Sequence, residues 1–367
     1  MLLFTPGPTP VLENVRAAMA KETIHHRTPE FTEIFKSTRE LLFNLLKTDE
    51  VLMFASTGTG AMEACVTNLC HKKALTINAG KFGERFSKIC SAFNIPFKEL
   101  TYEWDTPADV GEVVEAVKND SSIDALFVQI CESSGGLRHP IEDIAREVKA
   151  IRPEIMIVAD GITAVGVEPI DVTNIDALIT GSQKALMLPP GLSIVGLSSR
   201  AIEKIGKGKG FYFNMASELK KQREGTTAYT AATTLIIGLK EMLNNIFELG
   251  LDTLYDLTDR RATATRVALE AIGLKIYPKK PANAMTAVID EDAEKIRKIL
   301  KSKYEVNIAG GQEHLKGKLF RINHMGIIKA YEAAWVVNAI ELAMSELGRI
   351  EYTGKANKIF NELYFGE

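Results

Sequence analysis

The chain has 367 residues, of which 46% are hydrophobic and 25% charged, a composition typical of a globular protein with room for one large and one smaller domain. Its net charge of −3 gives no electrostatic attraction to nucleic acid or to an anionic membrane, and no apolar run is long enough to span a bilayer. The four cysteines lack metal-ligand and CxxC spacing, which favours a reduced, cytoplasmic protein.

The first 50 residues predict an arm followed by helices. Residues 1–10 alternate proline with small residues and predict an irregular segment, which we assign to an arm of residues 1–15. A helix over 11–20 follows, and Thr28-Pro29 predicts the start of a second helix. Just before it, His25, His26 and Arg27 have no carboxylate at ligand spacing, so a metal site is not expected there. Their role stays open.

An apolar strand over 51–55 leads into a glycine-rich turn and a helix. The free N–H groups at such a helix N-terminus, in Ser56-Thr-Gly-Thr-Gly60, favour binding of an anion such as phosphate. A plain tight turn is the alternative. The dinucleotide-binding fingerprint is excluded because Glu63 stands at its third glycine position, so a dinucleotide-dependent dehydrogenase is not expected.

The remaining pattern predicts two domains. Apolar strands at 74–78, 124–130, 154–160 and 176–180 alternate with helices at 81–93, 110–118 and 141–151, which indicates a mostly parallel sheet covered on both faces. After residue 200, helices through 226–272 give way to strands at 274–277, 285–289 and 318–323, alternating with helices at 291–302 and 328–347. We therefore predict an α/β protein with a large domain over 16–255 and a smaller α+β domain over 256–367.

Three charged residues stand in unusual surroundings. Lys184 lies between a Gly-Ser-Gln turn and the apolar run that ends in Pro189-Pro-Gly191; desolvation there lowers a lysine pKa and favours Schiff-base chemistry, although a surface lysine is the alternative. Asp160 is the last residue of an apolar strand. It is either a buried carboxylate with a partner or the N-cap of the next helix. Arg321 alternates with apolar residues in a strand, either exposed or directed at a substrate carboxylate.

Together these features predict a pyridoxal phosphate cofactor. Strands of a parallel sheet bring their carboxyl ends to one edge, where ligands bind. A phosphate cradle, an aromatic residue, a carboxylate and a lysine all follow strands of this sheet. The cofactor requires a lysine for covalent attachment, a phosphate site and an acidic partner for its ring nitrogen. Lys184 supplies the covalent attachment and Asp160 supplies the acidic partner. Lys184 can then move the substrate α-proton.

Several motifs also resemble the class V aminotransferases across essentially the whole chain. They are Thr5-Pro-Gly-Pro-Thr-Pro-Val11, His25-His-Arg-Thr-Pro-Glu-Phe31, Ser56-Thr-Gly-Thr-Gly-Ala-Met-Glu63, Glu132-Ser-Ser-Gly-Gly136, Asp160-Gly161, Gly181-Ser-Gln-Lys-Ala-Leu186 and Phe320-Arg-Ile-Asn-His-Met-Gly326. The sequence is most similar to the alanine–glyoxylate and serine–glyoxylate (serine–pyruvate) branch. The resemblance implies the fold of the aspartate-aminotransferase-like, fold type I pyridoxal phosphate transferases.

The resemblance also implies roles for individual residues. Lys184 would be the catalytic Schiff-base lysine and Asp160 the partner of the ring nitrogen, with the remaining cofactor contacts made by Phe82, Ile162, Thr57, Gly58, Thr59, Gln183 and Ser133. Thr230 would reach the phosphate of the other subunit, which implies a homodimer with shared active sites. Arg321 would bind the substrate carboxylate, and Gly7 would line the same pocket. Phe82 stands where relatives often have tryptophan.

The implied activity is a ping-pong transfer of an amino group from alanine or serine to glyoxylate or pyruvate. Aspartate or phosphoserine as donor is the alternative within the class, although no extra basic cluster for a second phosphate is evident. A cysteine desulfurase is excluded, because that reaction needs a nucleophilic cysteine well after the lysine and no cysteine follows Cys131. A non-catalytic subunit with the same fold is disfavoured, because the catalytic positions are present.

Overall fold

In the computed structural model, residues 1–366 are described, and they form two main sheets surrounded by helices. The strands are β1 (Leu2–Phe4), β2 (Glu50–Phe54), β3 (Lys73–Asn78), β4 (Phe97–Thr101), β5 (Ile123–Gln129), β6 (Cys131–Glu132), β7 (Leu137–Arg138), β8 (Met156–Asp160), β9 (Ala177–Gly181), β10 (Ser193–Leu197), β11 (Lys275–Ile276), β12 (Met285–Ile289), β13 (Val306–Gly310) and β14 (Leu319–Asn323).

The α-helices are α1 (Glu13–Met19), α2 (Pro29–Leu46), α3 (Gly58–Leu69), α4 (Gly83–Ala92), α5 (Val110–Lys118), α6 (Ile141–Ile151), α7 (Ser199–Ile205), α8 (Met215–Arg223), α9 (Thr233–Leu249), α10 (Leu251–Ala271), α11 (Ala293–Lys303), α12 (Ala330–Glu346) and α13 (Lys355–Phe365). The predicted start of α2 is confirmed, since the Thr28 hydroxyl accepts a hydrogen bond from the Phe31 amide at 3.3 Å. No helix within residues 1–366 is long and apolar enough to cross a membrane.

The larger sheet has the order β2-β10-β9-β8-β5-β3-β4. All its neighbouring strands run parallel except β10, which is antiparallel to both β2 and β9. Alternate residues of a strand pack into the cores on opposite faces of the sheet. Ile157 belongs to the core on one face and Val158 to the core on the other. The predicted α/β class, with a mostly parallel sheet covered on both faces, is therefore confirmed.

The smaller sheet has the order β1-β13-β14-β12-β11 and includes the amino terminus. The prediction that residues 1–10 are entirely irregular is wrong for Leu2–Phe4, which pair in parallel with Val306–Ile308. Phe4 is buried in the core of this second sheet, and that burial stabilises the short strand. The predicted domain boundary near residue 255 falls within α10, and the division into 16–255 and 256–367 stays a prediction.

After β1 the arm continues to the turn that follows β9, at the carboxyl end of the strands of the larger sheet. The Thr9 amide donates to the Gln183 carbonyl oxygen at 3.1 Å, and the Thr9 hydroxyl donates to the carbonyl oxygen of Lys184 at 2.7 Å. The arm is thus fixed at one end to the smaller sheet and at the other to the turn that carries Lys184. This arrangement brings both sheets to the site described next.

Candidate active site

The carboxyl ends of the strands in the larger sheet surround a cavity of about 160 Å³. Asp160 is the last residue of β8, and Lys184 lies three residues after β9. The structure brings these two together with seven other sequence-predicted residues, and it adds Arg85, Cys131 and Thr163 to the lining. The predicted residues are Thr57, Gly58, Thr59, Phe82, Ser133, Ile162 and Gln183.

Lys184 is partly buried beneath the amino-terminal arm. Its Nζ donates a hydrogen bond to the Pro6 carbonyl oxygen, and a Cβ placed on Gly7 would lie 2.6 Å from that Nζ. Gly7 also has a φ of +113°, so both its backbone and its surroundings favour glycine. Burial lowers the pKa of Lys184 to about 8, which leaves a sizeable neutral fraction near neutral pH. The surface-lysine alternative is therefore wrong.

Asp160 is 4% exposed. Its Oδ1 accepts a hydrogen bond from the Ile162 amide at 3.0 Å. Burial raises the pKa of the carboxyl to about 6, while the hydrogen bond and the charges of Arg85 and Lys184 act in the opposite direction. A carboxylate held in this way favours a positively charged partner.

The amino-terminal turn of α3 forms a cradle at the other end of the cavity. Thr57 is the N-cap residue but makes no capping hydrogen bond through its side chain. Gly58 lies directly against Ile162, because a Cβ on Gly58 would be 2.2 Å from the Ile162 Cδ1. The Gln183 side chain lines the same part of the cavity, and its amide carries two N–H donors. N–H donors beside a helix N-terminus fit an anionic group such as phosphate.

Hydrogen bonds to its backbone fix Phe82 in the cavity wall. The buried carboxylate of Glu132 accepts hydrogen bonds from the Phe82 and Gly83 amides at 3.0 and 2.8 Å, and from the amide of Ser134 at 3.0 Å. The Gln129 side chain donates to the Phe82 carbonyl oxygen at 2.9 Å. Glu132 was recognised only as part of a motif, and its contacts show that it fixes the turn between β3 and α4.

Arg321 is buried beside the cavity instead of exposed on its strand, so the exposed alternative is wrong. Its guanidinium donates through Nε and Nη2 to the Gly310 carbonyl oxygen at 3.2 and 2.7 Å, and through Nη1 to the Ser133 carbonyl oxygen at 2.7 Å. It therefore links the smaller sheet to a residue of the cavity wall. Burial lowers the pKa of Arg321 to about 10, and its charge contributes to the lowered pKa of Lys184.

Three further residues considered in the sequence analysis lie outside the cavity: Thr230, for which a cofactor contact is predicted, and His25 and His26, whose role is open. Thr230 is exposed in the segment between α8 and α9, where it lines a separate surface pocket with Tyr212 and Tyr229. His25 and His26 lie at the entry to α2 with their ring centres 4.7 Å apart. Within residues 1–366, no group of three or more histidine, cysteine, aspartate or glutamate residues is arranged to hold a metal.

The sequence matches the family model for class V aminotransferases over residues 1–330, and the chain belongs to that family. It is 50% identical to an uncharacterized aminotransferase of Helicobacter pylori, over 100% of both chains. It is 29% identical to a serine–glyoxylate aminotransferase of Hyphomicrobium methylovorum, covering 94% of this chain and 90% of the relative. An aspartate aminotransferase of subgroup IV from Thermus thermophilus matches with a TM-score of 0.89 and 32% identity, covering 94% of this chain and 99% of that one.

The chain is accordingly a pyridoxal phosphate-dependent aminotransferase with the fold type I architecture. The cavity fits that cofactor on three observations: a lysine of lowered pKa, a buried carboxylate, and a helix N-terminus beside the amide side chain of Gln183. These groups meet the three requirements of the cofactor, namely covalent attachment, a partner for the ring nitrogen and a phosphate site.

Proposed function

We propose that the protein transfers the amino group of a small amino acid, alanine or serine, to glyoxylate or pyruvate by a ping-pong mechanism. The proposal depends mainly on Arg321, whose guanidinium is fixed beside the cavity by the Gly310 and Ser133 carbonyl oxygens. A planar cation in a fixed position suits one substrate carboxylate. The named serine–glyoxylate relative supports a small donor and a glyoxylate acceptor.

Each residue of the cavity has a separate role in the proposed reaction. When bound, the cofactor withdraws electrons from the substrate α-carbon. Asp160 would hold a proton on the cofactor's ring nitrogen, and the Lys184 Nζ would take the α-proton from the substrate and return it to the cofactor carbon that is bonded to the same amino nitrogen. Phe82 and Ile162 would enclose the ring, and Ser133 would contact the edge that carries the 3-hydroxyl. A set of four residues would hold the phosphate: Thr57, Gly58, Thr59 and Gln183.

Replacing Arg321 by glutamine should raise the KM for the amino donor by about tenfold to a hundredfold, the usual effect of losing a hydrogen bond to a charged group. The dissociation constant of the cofactor should stay within about threefold of the wild-type value, since other residues hold the cofactor. Steady-state kinetics and cofactor titration measure the two quantities. Arg260→Gln, on the exposed surface of α10, is the matched control. Loss of cofactor binding in Arg321→Gln would contradict the assigned role.

An amino-donor panel tests the proposed substrates. Alanine, serine, aspartate and phosphoserine are each mixed with the cofactor-loaded enzyme, and the change in cofactor absorbance gives the rate of the first half-reaction. Alanine or serine should exceed aspartate by about tenfold or more in kcat/KM, because a second carboxylate requires a second cation. Aspartate is the second candidate donor, because Arg85 is a further cation in the cavity wall. A faster reaction with aspartate would replace the first proposal by the second.

We further propose that the enzyme is a homodimer in which Thr230 completes the partner's phosphate site. The exposure of Thr230 within one chain supports this role. Thr230→Ala should weaken cofactor binding by about threefold to tenfold, the effect of losing one neutral hydrogen bond, while the exposed Thr234→Ala should not. Sedimentation equilibrium should give the mass of two chains. An active monomer would contradict the proposal.

A further inference from the structure

Arg85 lines the cavity and leaves most of its guanidinium donors unengaged by the protein. It lies on α4, three residues after Phe82, and its guanidinium carbon is 4.6 Å from the centre of the Phe82 ring. Its Nη1 donates to the Thr59 hydroxyl at 2.9 Å. Within residues 1–366 no carboxylate lies within 4.0 Å of its side-chain nitrogens, whereas Arg321 makes three hydrogen bonds to carbonyl oxygens.

An arginine in this state has donors available for an anion. A guanidinium carries five N–H donors, and the Thr59 hydroxyl engages one of them. A partly buried cation without a carboxylate at ion-pair distance is costly. Arg85 is partly buried, so an anion entering the cavity would offset that cost.

The position of Arg85 indicates which anion it binds. Thr59 belongs to the first turn of α3, the same turn that forms the cradle. An anion seated on that turn therefore lies within reach of the guanidinium attached to Thr59. Arg321 contacts the other part of the wall, at Ser133. The two arginines thus serve separate anions, and the planar fork of Arg85 matches phosphate oxygens.

We propose that Arg85 is a binding residue for the cofactor phosphate, which it holds from α4 opposite the amino-terminal turn of α3. The proposal rests on the placement of the phosphate at Thr57–Thr59 in the proposed function. It also explains how the cavity can contain a second arginine without selecting a dicarboxylic amino donor, because the charge of Arg85 is engaged by phosphate before a donor binds.

Binding to the apo-protein tests this proposal without reference to turnover. Dissociation constants are measured for pyridoxal phosphate, for pyridoxal, which lacks the phosphate, and for inorganic phosphate by competition. Arg85→Met should weaken pyridoxal phosphate and inorganic phosphate by about tenfold to a hundredfold and leave pyridoxal within about threefold. Arg85→Lys should recover part of the loss, since lysine keeps the charge without the fork. Arg146→Met, an exposed arginine of α6, is the control.

Three results would overturn the proposal. Equal weakening of pyridoxal and pyridoxal phosphate would mean that Arg85 only supports the Phe82 ring. Unchanged phosphate affinity together with a raised KM for aspartate alone would make Arg85 a receptor for a second substrate carboxylate. Unchanged constants for all three ligands in folded Arg85→Met would leave it no role in binding. Failure of the proposed function itself would be distinguishable, because it would appear in the amino-donor panel with the wild-type enzyme, whereas the role of Arg85 is decided by ligand affinities of the apo-protein.

Discussion

Lys184→Ala should abolish covalent attachment of the cofactor and lower kcat by at least about a thousandfold. The residue would lose two functions together, the amine that bonds to the cofactor and the base that moves the α-proton, each of which is worth several orders of magnitude in enzymes. The fold should survive, because removing a partly buried lysine from beside the Pro6 carbonyl eliminates a desolvated amine whose pKa is lowered to about 8.

Reduction with borohydride followed by peptide mass analysis measures the attachment directly. The wild-type protein should carry the cofactor's mass on the peptide that contains Lys184, and Lys184→Ala should carry it on no peptide. Lys207→Ala, at an exposed lysine after α7, should behave like the wild type. A stable, reducible adduct in Lys184→Ala would show that a different lysine holds the cofactor.

The parts of the fold that sequence predicted are those with strong local patterns. Runs such as Ile157–Ala159 are apolar throughout because both faces of the sheet are covered, and that continuity marks a central parallel strand. β4 lies at the edge of the sheet and is only half buried, so Phe97–Thr101 lacked the apolar run. β1 depends on a partner about 300 residues away, at Val306–Ile308, and no local pattern carries that information.

The residues of the candidate site also differ in whether the sequence predicts them. Lys184 and Asp160 could be predicted because a charge in an apolar context is rare. Arg85 could not, because one arginine on an amphipathic helix has the appearance of a solvated residue. A signal did exist: Arg85 follows Phe82 by three residues, a spacing that places two side chains on the same helix face. The partner of Glu132, the backbone of the β3–α4 turn, becomes evident only from the tertiary structure.

Asp160→Asn should reduce kcat by about a hundredfold to a thousandfold while the cofactor remains attached to Lys184. Asparagine has nearly the same shape, but it lacks the negative charge that, in the proposed role of Asp160, would keep a proton on the ring nitrogen. Misplaced or missing charge at a reacting centre typically has an effect of this size. Single-turnover kinetics with the donor identified in the panel measures the loss, and borohydride reduction confirms that attachment persists.

The same substitution should stabilise the apo-protein at alkaline pH. Burial raises the pKa of Asp160 from 3.8 to about 6 in the folded state, so the folded protein binds this proton more tightly than the unfolded chain does. Stability is therefore lost as pH rises from about 4 through 6, by on the order of 3 kcal/mol in total. Asparagine has no charge to desolvate, so Asp160→Asn should avoid this loss.

Urea unfolding of the two apo-proteins between pH 4 and pH 8 measures the difference. At pH 8 Asp160→Asn should unfold at the higher urea concentration, and its advantage should shrink as the pH is lowered through 6 towards 4, where the wild-type carboxyl becomes protonated. Asp143→Asn, at an exposed carboxylate of α6, should show no comparable advantage at pH 8. Equal midpoints for wild type and Asp160→Asn at pH 8 would mean that Asp160 is ionised in the folded apo-protein at little cost. Greater stability at pH 8 with lower activity would instead identify Asp160 as a charge that the fold retains for its reaction with the cofactor.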